Sequence, residues 1–373
     1  MILTPKHIEF RDKVREFAQK EVAPLSAHFD KSGEFSLTLF KKLGESGLLG
    51  IPFPKEYGGA GLDTLSYTIA VEEISRVCGS TGIFLAAHIS LGCSPIWIAG
   101  NEEQKKKWLV PLARGEKRGS FGLTEPNAGS DAAGTETTAR KVGDKYIING
   151  TKRFITSGSI SEIITITATQ DRSKGVHGIS AFVVEKGTPG FSAGKDEDKL
   201  GLRGSITSDL IFEDCAIPYE NLLGKEHWGF KVFMKTLDGG RISIGAMALG
   251  IAQGALDTAI EFAKDSGKYK EQSCQGLIAD MATKVAAARG LVYQASMLKD
   301  AGEPYTKEAA MAKFYAAAIG MWVCTQAVEI CGMAGLTKKY NVERFIRDVK
   351  LTEIGEGTSE IQKIVIAREI FGK

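Results

Sequence analysis

One carboxylate, two glycines and a helix start lie together in the run Glu353-Ile354-Gly355-Glu356-Gly357-Thr358-Ser359-Glu360-Ile361-Gln362. Gly355 and Gly357 give the backbone beside Glu356 access to conformations that other residues avoid, and they let a ligand approach closely. Ser359 and Gln362 have the S-x-x-Q spacing of a capping box, which predicts a helix from Glu360 with Ile361, Ile364, Val365 and Ile370 on its apolar stripe. A carboxylate presented on a tight turn ahead of a rigid helix is suited to work as a general base. On these residues alone, a Gly-flanked surface turn whose acids favour the helix dipole is the simpler reading.

Further segments shift that balance. Phe121-Gly122-Leu123-Thr124-Glu125-Pro126-Asn127-Ala128-Gly129-Ser130-Asp131 is followed by Gly150-Thr151-Lys152-Arg153-Phe154-Ile155-Thr156. Beyond them stand Lys199-Leu200-Gly201-Leu202-Arg203-Gly204-Ser205, Phe212-Glu213-Asp214-Cys215-Ala216-Ile217-Pro218, Leu237-Asp238-Gly239-Gly240-Arg241 and Glu343-Arg344-Phe345-Ile346-Arg347-Asp348. Together and in this order they resemble the acyl-CoA dehydrogenase family over nearly the whole chain, most closely its short-chain, butyryl-like branch.

The resemblance implies FAD between a β domain and a C-terminal bundle, with the Cα–Cβ bond of an acyl-CoA thioester held between the flavin ring and Glu356. Glu356 matches the family's base, which takes the α-proton while a hydride leaves Cβ for the flavin. A thioester α-proton is only weakly acidic, so such a base needs a pKa raised by exclusion of water. The enolate needs hydrogen bonds, which the family draws from the N–H matching Glu356 and from a flavin hydroxyl. Thr124 and Thr156 match residues that bond the flavin ring, and the stretch from Phe121 to Ser130 matches the loop lining it. Phe154 stands at an aromatic position covering the flavin face, where many members have Trp. Gln272, Thr358 and Glu360 complete the implied cofactor contacts, while Ser130, Asp238, Arg241 and Gly357 are the implied acyl-CoA contacts. A homotetramer with shared flavin sites and an electron-transfer flavoprotein as electron acceptor are implied as well. Without the resemblance, Thr156 reads equally as a satisfied strand threonine and Arg241 as a bundle salt-bridge residue. His7, His28, His88, His177 and His227 stand alone and read as surface or core residues.

Three positions depart from the family pattern. The Arg-x-x-Phe-Gly motif, whose arginine reaches the flavin pyrophosphate across a subunit interface, is absent ahead of Gln272 and Gln275, where the chain reads Lys264-Asp265-Ser266-Gly267-Lys268-Tyr269-Lys270-Glu271. Losing one charge-assisted phosphate contact, about 1.5–3 kcal/mol, weakens dinucleotide binding roughly ten- to 150-fold unless another group such as Lys268 or Lys270 replaces it. The Gln-x-x-Gly-Gly loop at the adenosine end becomes Glu329-Ile330-Cys331-Gly332-Met333, and Gly355 replaces the usual Tyr. Two alternatives therefore stand beside a flavin-dependent dehydrogenase: a redox-silent hydratase, lyase or isomerase using Glu356 for proton transfer, and a subunit whose flavin site a paralogous partner completes.

With 373 residues, the chain predicts two or three structural units. A net charge of +2 without a basic block argues against nucleic acid. Cys78, Cys93, Cys215, Cys274, Cys324 and Cys331 lack C-x-x-C spacing and paired histidines, which argues against zinc and a disulfide framework and for buried thiols in a reducing cytosol. No signal-peptide pattern opens the sequence, and a cytoplasmic location is expected. The long uncharged stretch 82–100 reads as a buried helix plus a turn, so no membrane insertion is expected.

The elements that must position these residues follow an α+β order. Thr4 can cap a first helix with Pro5 at its first position and Phe10, Val14, Phe17 and Ala18 on one face. Further helices are predicted over 37–46, 65–77 and 102–113. Strand patterning then covers 136–142, 145–148, 163–169 and 179–184, with turn signals at Gly143-Asp144 and Asn149-Gly150. Helices return over 246–264, 275–299 and 306–334, lengths suited to a four-helix bundle. The predicted units are an N-terminal helical domain over 1–118, a middle β domain over 119–226 and a C-terminal helical bundle over 227–373. No G-x-G-x-x-G after a strand and no P-loop supports a Rossmann or nucleotide-hydrolase reading.

Overall fold

The computed structural model describes residues 3–372. The first helix, Pro5–Phe17, starts as the sequence indicates, with the Thr4 hydroxyl accepting from the His7 N–H and Pro5 at the first position. Leu37–Glu45 is capped by Ser36 and Thr64–Val77 by Asp63, while Asn101 and Gln104 form a reciprocal capping box. Gly79–Ala87, a wider-turned segment His88–Cys93 and Ser94–Ala99 run on as one rod instead of a helix and a turn. Among the described residues three helical stretches, Gly79–Ala99, Gly229–Ser266 and Thr306–Leu336, are long and apolar enough to cross a membrane by length and composition, yet 72%, 83% and 50% of their apolar windows lie inside the protein.

The middle of the chain folds into strands β1 (Gly119–Gly122), β2 (Thr138–Val142), β3 (Lys145–Thr156), β4 (Ile163–Thr169), β5 (Ile179–Glu185), β6 (Phe191–Asp196), β7 (Thr207–Pro218) and β8 (Leu222–Leu223). They lie in the order β6-β7-β3-β2-β4-β5-β8, with β1 paired to β4. Gly143 and Asp144 join β2 to β3, whose ends pair Val142 with Lys145. The second expected turn is different: Asn149 and Gly150 lie inside β3 at a register shift against β7. There the Asn149 side chain donates to Asp214 Oδ1 and accepts from the Asp214 N–H, so the pair fills a bulge instead of reversing the chain. Tyr146, Ile148, Phe182 and Phe212 centre a core belonging to the sheet.

The C-terminal part contains Gly229–Ser266, Gln272–Asp300, Thr306–Cys331 and the closing helix Ser359–Phe371. Its core is continuous with that of the N-terminal helices, from Val14 to Val349. Thr64–Val77 packs closely on Gly229–Ser266 because glycines remove the obstacle: a Cβ on Gly250 would sit 2.3 Å from Glu72 O, and one on Gly254 2.1 Å from Arg76 O. Glu72 ties Thr64–Val77 to Gln272–Asp300 as well, accepting from Arg289 on one carboxylate oxygen and from Tyr293 Oη on the other. All six cysteines are buried and unpaired.

The helix Val342–Val349 fastens the sheet to both helical parts. Arg347 grips Asp30 through two nitrogens at 2.7 Å, and Asp348 accepts from the Leu202 N–H at 2.6 Å. The loop Lys199 to Ser205 is thereby held beside the C-terminal segment that carries Glu356.

Candidate active site

Where the sheet meets the bundle there is a cavity of about 780 Å³. The sheet contributes Phe121, Thr124, Phe154 and Thr156 to its wall, and the C-terminal part contributes Arg241, Gly355, Glu356, Gly357 and Thr358. Ser130 is exposed and lies on the cavity rim. These residues span most of the chain, and the fold brings them around one space.

Glu356 leaves a short helical turn, Lys350–Glu353, after which the Gly355 N–H donates to Leu351 O at 2.8 Å. The left-handed backbone belongs to Glu356 itself (φ 55°) and to Gly357 (φ 93°), not to Gly355. Gly355 therefore owes its place to something other than backbone freedom. The helix that follows begins at Ser359 and is capped by Thr358, whose hydroxyl accepts from the Ile361 N–H. The expected Ser359–Gln362 capping box does not form, because residue 358 has the extended backbone a cap requires (φ −59°, ψ 165°) while Ser359 is already helical. Gln362 turns inward instead, and its Nε2 donates to Gly357 O at 2.9 Å and Glu356 O at 3.3 Å.

The Glu356 side chain is partly accessible, but that surface faces the cavity; its Oε2 is closed off from solvent and has no hydrogen-bond partner. Burial pushes the carboxyl up to about 7, against the opposing pull of Lys313 and then Arg241. Gly240 makes the space: a Cβ there would stand 2.1 Å from Glu356 Oε2. Arg241 pairs with Asp238, while its Nε is buried and unpartnered. Burial lowers the guanidinium's pKa despite Asp238, and burial raises Asp238 although Arg241 and the Thr306 hydroxyl oppose it.

On the sheet side, the Arg153 N–H donates to Thr124 O at 2.7 Å, which sets the Thr124 loop against the end of β3 that carries Phe154 and Thr156. Phe154 is 58% exposed and sits at φ 57°, a conformation that costs on the order of 1 kcal/mol for a residue with a Cβ and is held here by the surrounding fold. An exposed aromatic face in a cavity wall, with two threonines beside it and an orphaned carboxylate oxygen in the same space, fits a planar polar ring together with a substrate. Beneath the loop lies a pair that sequence reading did not identify. Lys152, fully buried, donates to Glu125 at 2.6 Å, to Thr167 at 3.1 Å and to Leu123 O at 3.3 Å. Glu125 also accepts from the Glu136 and Thr137 N–H groups. Burial pulls the lysine down to about 8 against the attraction of Glu125; burial likewise works against the ionised Glu125, yet Lys152 and these donors hold it below its ordinary value.

Three expected contacts do not line the cavity. Asp238 lies behind Arg241, Glu360 is exposed on the closing helix, and Gln272 is exposed at the start of Gln272–Asp300. Lys268 Nζ donates to Ile330 O at 2.8 Å, reaching the altered loop at Glu329 to Met333. Among the described residues no histidine lines the cavity; His88 is buried in the core, where it bonds the Leu112 carbonyl and accepts from the Gly119 N–H.

Family models match the chain in three consecutive parts: acyl-CoA dehydrogenase, N-terminal domain, over residues 4–116; middle domain, over 120–215; and C-terminal domain, over 227–371. The chain is 54% identical over 374 residues to the short-chain specific acyl-CoA dehydrogenase of Clostridium acetobutylicum, covering 99% of each. It superposes on butyryl-CoA dehydrogenase from Megasphaera elsdenii with a TM-score of 0.97 at 45% identity, covering 100% of this chain and 99% of that one. A chain in the solved structure described as electron transferring flavoprotein of Acidaminococcus fermentans, towards a mechanism of flavin-based electron bifurcation, gives a TM-score of 0.99 at 51% identity over the full length of both. The motifs, the helix–sheet–helix layering and these likenesses agree, and the chain belongs to the acyl-CoA dehydrogenase family.

Proposed function

We propose that the protein is a flavin-dependent dehydrogenase of short-chain acyl-CoA thioesters, with Glu356 as the base that removes the α-proton. The observation that carries this reading is Glu356, a carboxylate with one oxygen buried and without a hydrogen-bond partner, lining the same cavity as Thr124, Phe154 and Thr156. FAD, when bound, supplies the hydride acceptor, and Phe154, Thr124 and Thr156 are the residues that would hold its ring. The family relationship favours this chemistry over a redox-silent proton transfer.

Each remaining role follows from this chain's own groups. Desolvation brings the Glu356 carboxyl to about 7, so near neutral pH it is divided between a form that can accept a proton and one that has received it. The Glu356 N–H donates to no protein acceptor among the described residues, which leaves it free for the thioester oxygen as enolate charge develops. Arg241 Nε, buried and unpartnered in the same wall, and Ser130 at the rim are suited to the polar arm of the CoA. Gln272, exposed and away from the cavity, suits contact with a neighbouring subunit's cofactor in a homotetramer. Lys268 beside the 329–333 loop offers the cation that the missing arginine would supply. The relative in the electron transferring flavoprotein structure favours such a flavoprotein as electron acceptor.

The test is the visible spectrum of the purified protein before and after butyryl-CoA is added without oxygen. Flavin bands that bleach as the enoyl thioester appears are expected. A colourless protein that gains no colour with FAD, or bands that acyl-CoA leaves untouched, contradicts the reading.

A further inference from the structure

Lys313 lies on the inward side of Thr306–Cys331 and is fully buried, although lysine is rarely buried without a carboxylate partner. Its hydrogen bond goes to a main-chain carbonyl: Nζ donates to Gly357 O at 2.6 Å. That carbonyl belongs to the residue immediately after Glu356 and already receives Gln362 Nε2 at 2.9 Å. A neutral donor is thus already in place, and bringing an ammonium out of water to make a second bond costs several kcal/mol before any return.

The turn it grips is strained in a particular way. Glu356 (φ 55°) and Gly357 (φ 93°) are consecutive left-handed residues, and the first carries a full side chain. The peptide that carries the gripped carbonyl joins Gly357 to Thr358, the cap of the closing helix, so holding it fixes how the turn meets the helix and keeps the carboxylate against Gly240. A carbonyl held from two sides cannot rotate without breaking both bonds.

We propose that Lys313 is a positioning residue for Glu356: it pins the Gly357 carbonyl so that the carboxylate stays aimed into the cavity, and its charge favours the ionised, proton-accepting form. The groups facing the ammonium are Glu356, Glu353 and Glu360, which favour its charge, and Arg241, which opposes it; those facing the Glu356 carboxyl are Lys313 and Arg241. Burial pulls Lys313 down to about 8, so at neutral pH it is still charged and acts on Glu356 as a cation. The inference rests on the base role of Glu356, and its test is arranged so that the two fail separately.

The test is Lys313→Met, which keeps most of the length of the side chain and removes the charge and the donor. Two readings are taken: hydrogen–deuterium exchange of the peptide spanning residues 353–362, and the acid limb of kcat/KM for butyryl-CoA against pH. The expected result is at least about tenfold faster exchange confined to that peptide, with the acid limb displaced upward by about one pH unit, because loss of a nearby cation disfavours the carboxylate. Unchanged local exchange with an unmoved acid limb overturns the proposal, as does faster exchange spread over the whole chain. If the wild-type protein does not turn over acyl-CoA, the functional reading fails, and the exchange result alone decides whether Lys313 holds the turn. Should Lys313→Met not fold, Lys313→Gln, which offers a neutral amide in place of the ammonium and loses the charge and the reach, carries the same readings.

Discussion

Gly240 lies directly against the Glu356 carboxylate, so close that a Cβ on it would come within 2.1 Å of Oε2. The glycine is in the middle of Gly229–Ser266, where it costs about 1 kcal/mol of helix propensity relative to alanine. Helix stability alone therefore argues for alanine, and the carboxylate argues for glycine. Gly240→Ala is expected to leave the helix intact but displace the carboxylate, lowering kcat at least about 10²-fold, as misplacement of a reacting group by an ångström can. Near-normal turnover in a variant with unchanged thermal stability would mean that the carboxylate has room elsewhere.

The pair Lys152–Glu125 predicts a different kind of defect. Glu125→Gln leaves a fully buried ammonium facing a neutral amide, and loss of one partner of a buried pair costs about 3–5 kcal/mol. Replacing both residues together, Glu125→Leu with Lys152→Met, is expected to cost less than the single change. Urea unfolding of the three proteins checks the order. A single variant as stable as wild type would remove this pair as the support of the Thr124 loop.

Thr358 and Ser359 compete in the sequence for the cap of the closing helix, and the backbone assigns it to Thr358. Thr358→Ala is expected to lose about 1 kcal/mol, and Ser359→Ala only a few tenths, since the Ser359 hydroxyl makes just one long bond, to Glu353 O at 3.5 Å. Denaturation midpoints of the two variants decide. The reverse order would restore Ser359 as the cap.

Gly355 lines the cavity with an unexceptional backbone, and a Cβ on it would make ordinary contact with Leu351 at 3.4 Å. The position accepts a side chain, so its emptiness bears on pocket volume. Gly355→Tyr adds a ring with about 150–250 Å² of surface and is expected to depress kcat/KM for a branched or ring-bearing acyl-CoA much more than for butyryl-CoA. Equal effects on the two substrates would deny the glycine any part in selecting the acyl group.

What was legible in the sequence divides along a physical line. Thr4, Pro5 and the alternating Ile163 to Thr169 act through neighbours in sequence, and the first helix and β4 appear where those neighbours indicate. Glu356, Thr124, Phe154 and Thr156 were found through motifs, and the fold gathers them around one cavity. Glu125, Lys152, Gly240 and Lys313 were missed as functional supports because each has its meaning only against a partner distant in the chain. A lysine on a helix reads as a solvated charge, and a glycine in a helix as a weak spot, until the opposing segment is present. The wrong cap had a subtler cause: adjacent Thr and Ser are chemically equal, and only the backbone dihedrals distinguish them.

The central claim is that Glu356 takes the α-proton, and the most direct measurement is the rate at which butyryl-CoA bleaches the flavin in Glu356→Gln and in wild type, mixed rapidly without oxygen across a range of pH. Glutamine keeps the shape of the turn and cannot accept the proton. The account predicts bleaching slowed by at least about 10²-fold in the variant. In wild type the rate should rise with pH through about 7, because the acceptor is the ionised carboxylate and burial has raised its pKa to that value. A variant that bleaches as fast as wild type, with the same pH profile, would contradict it.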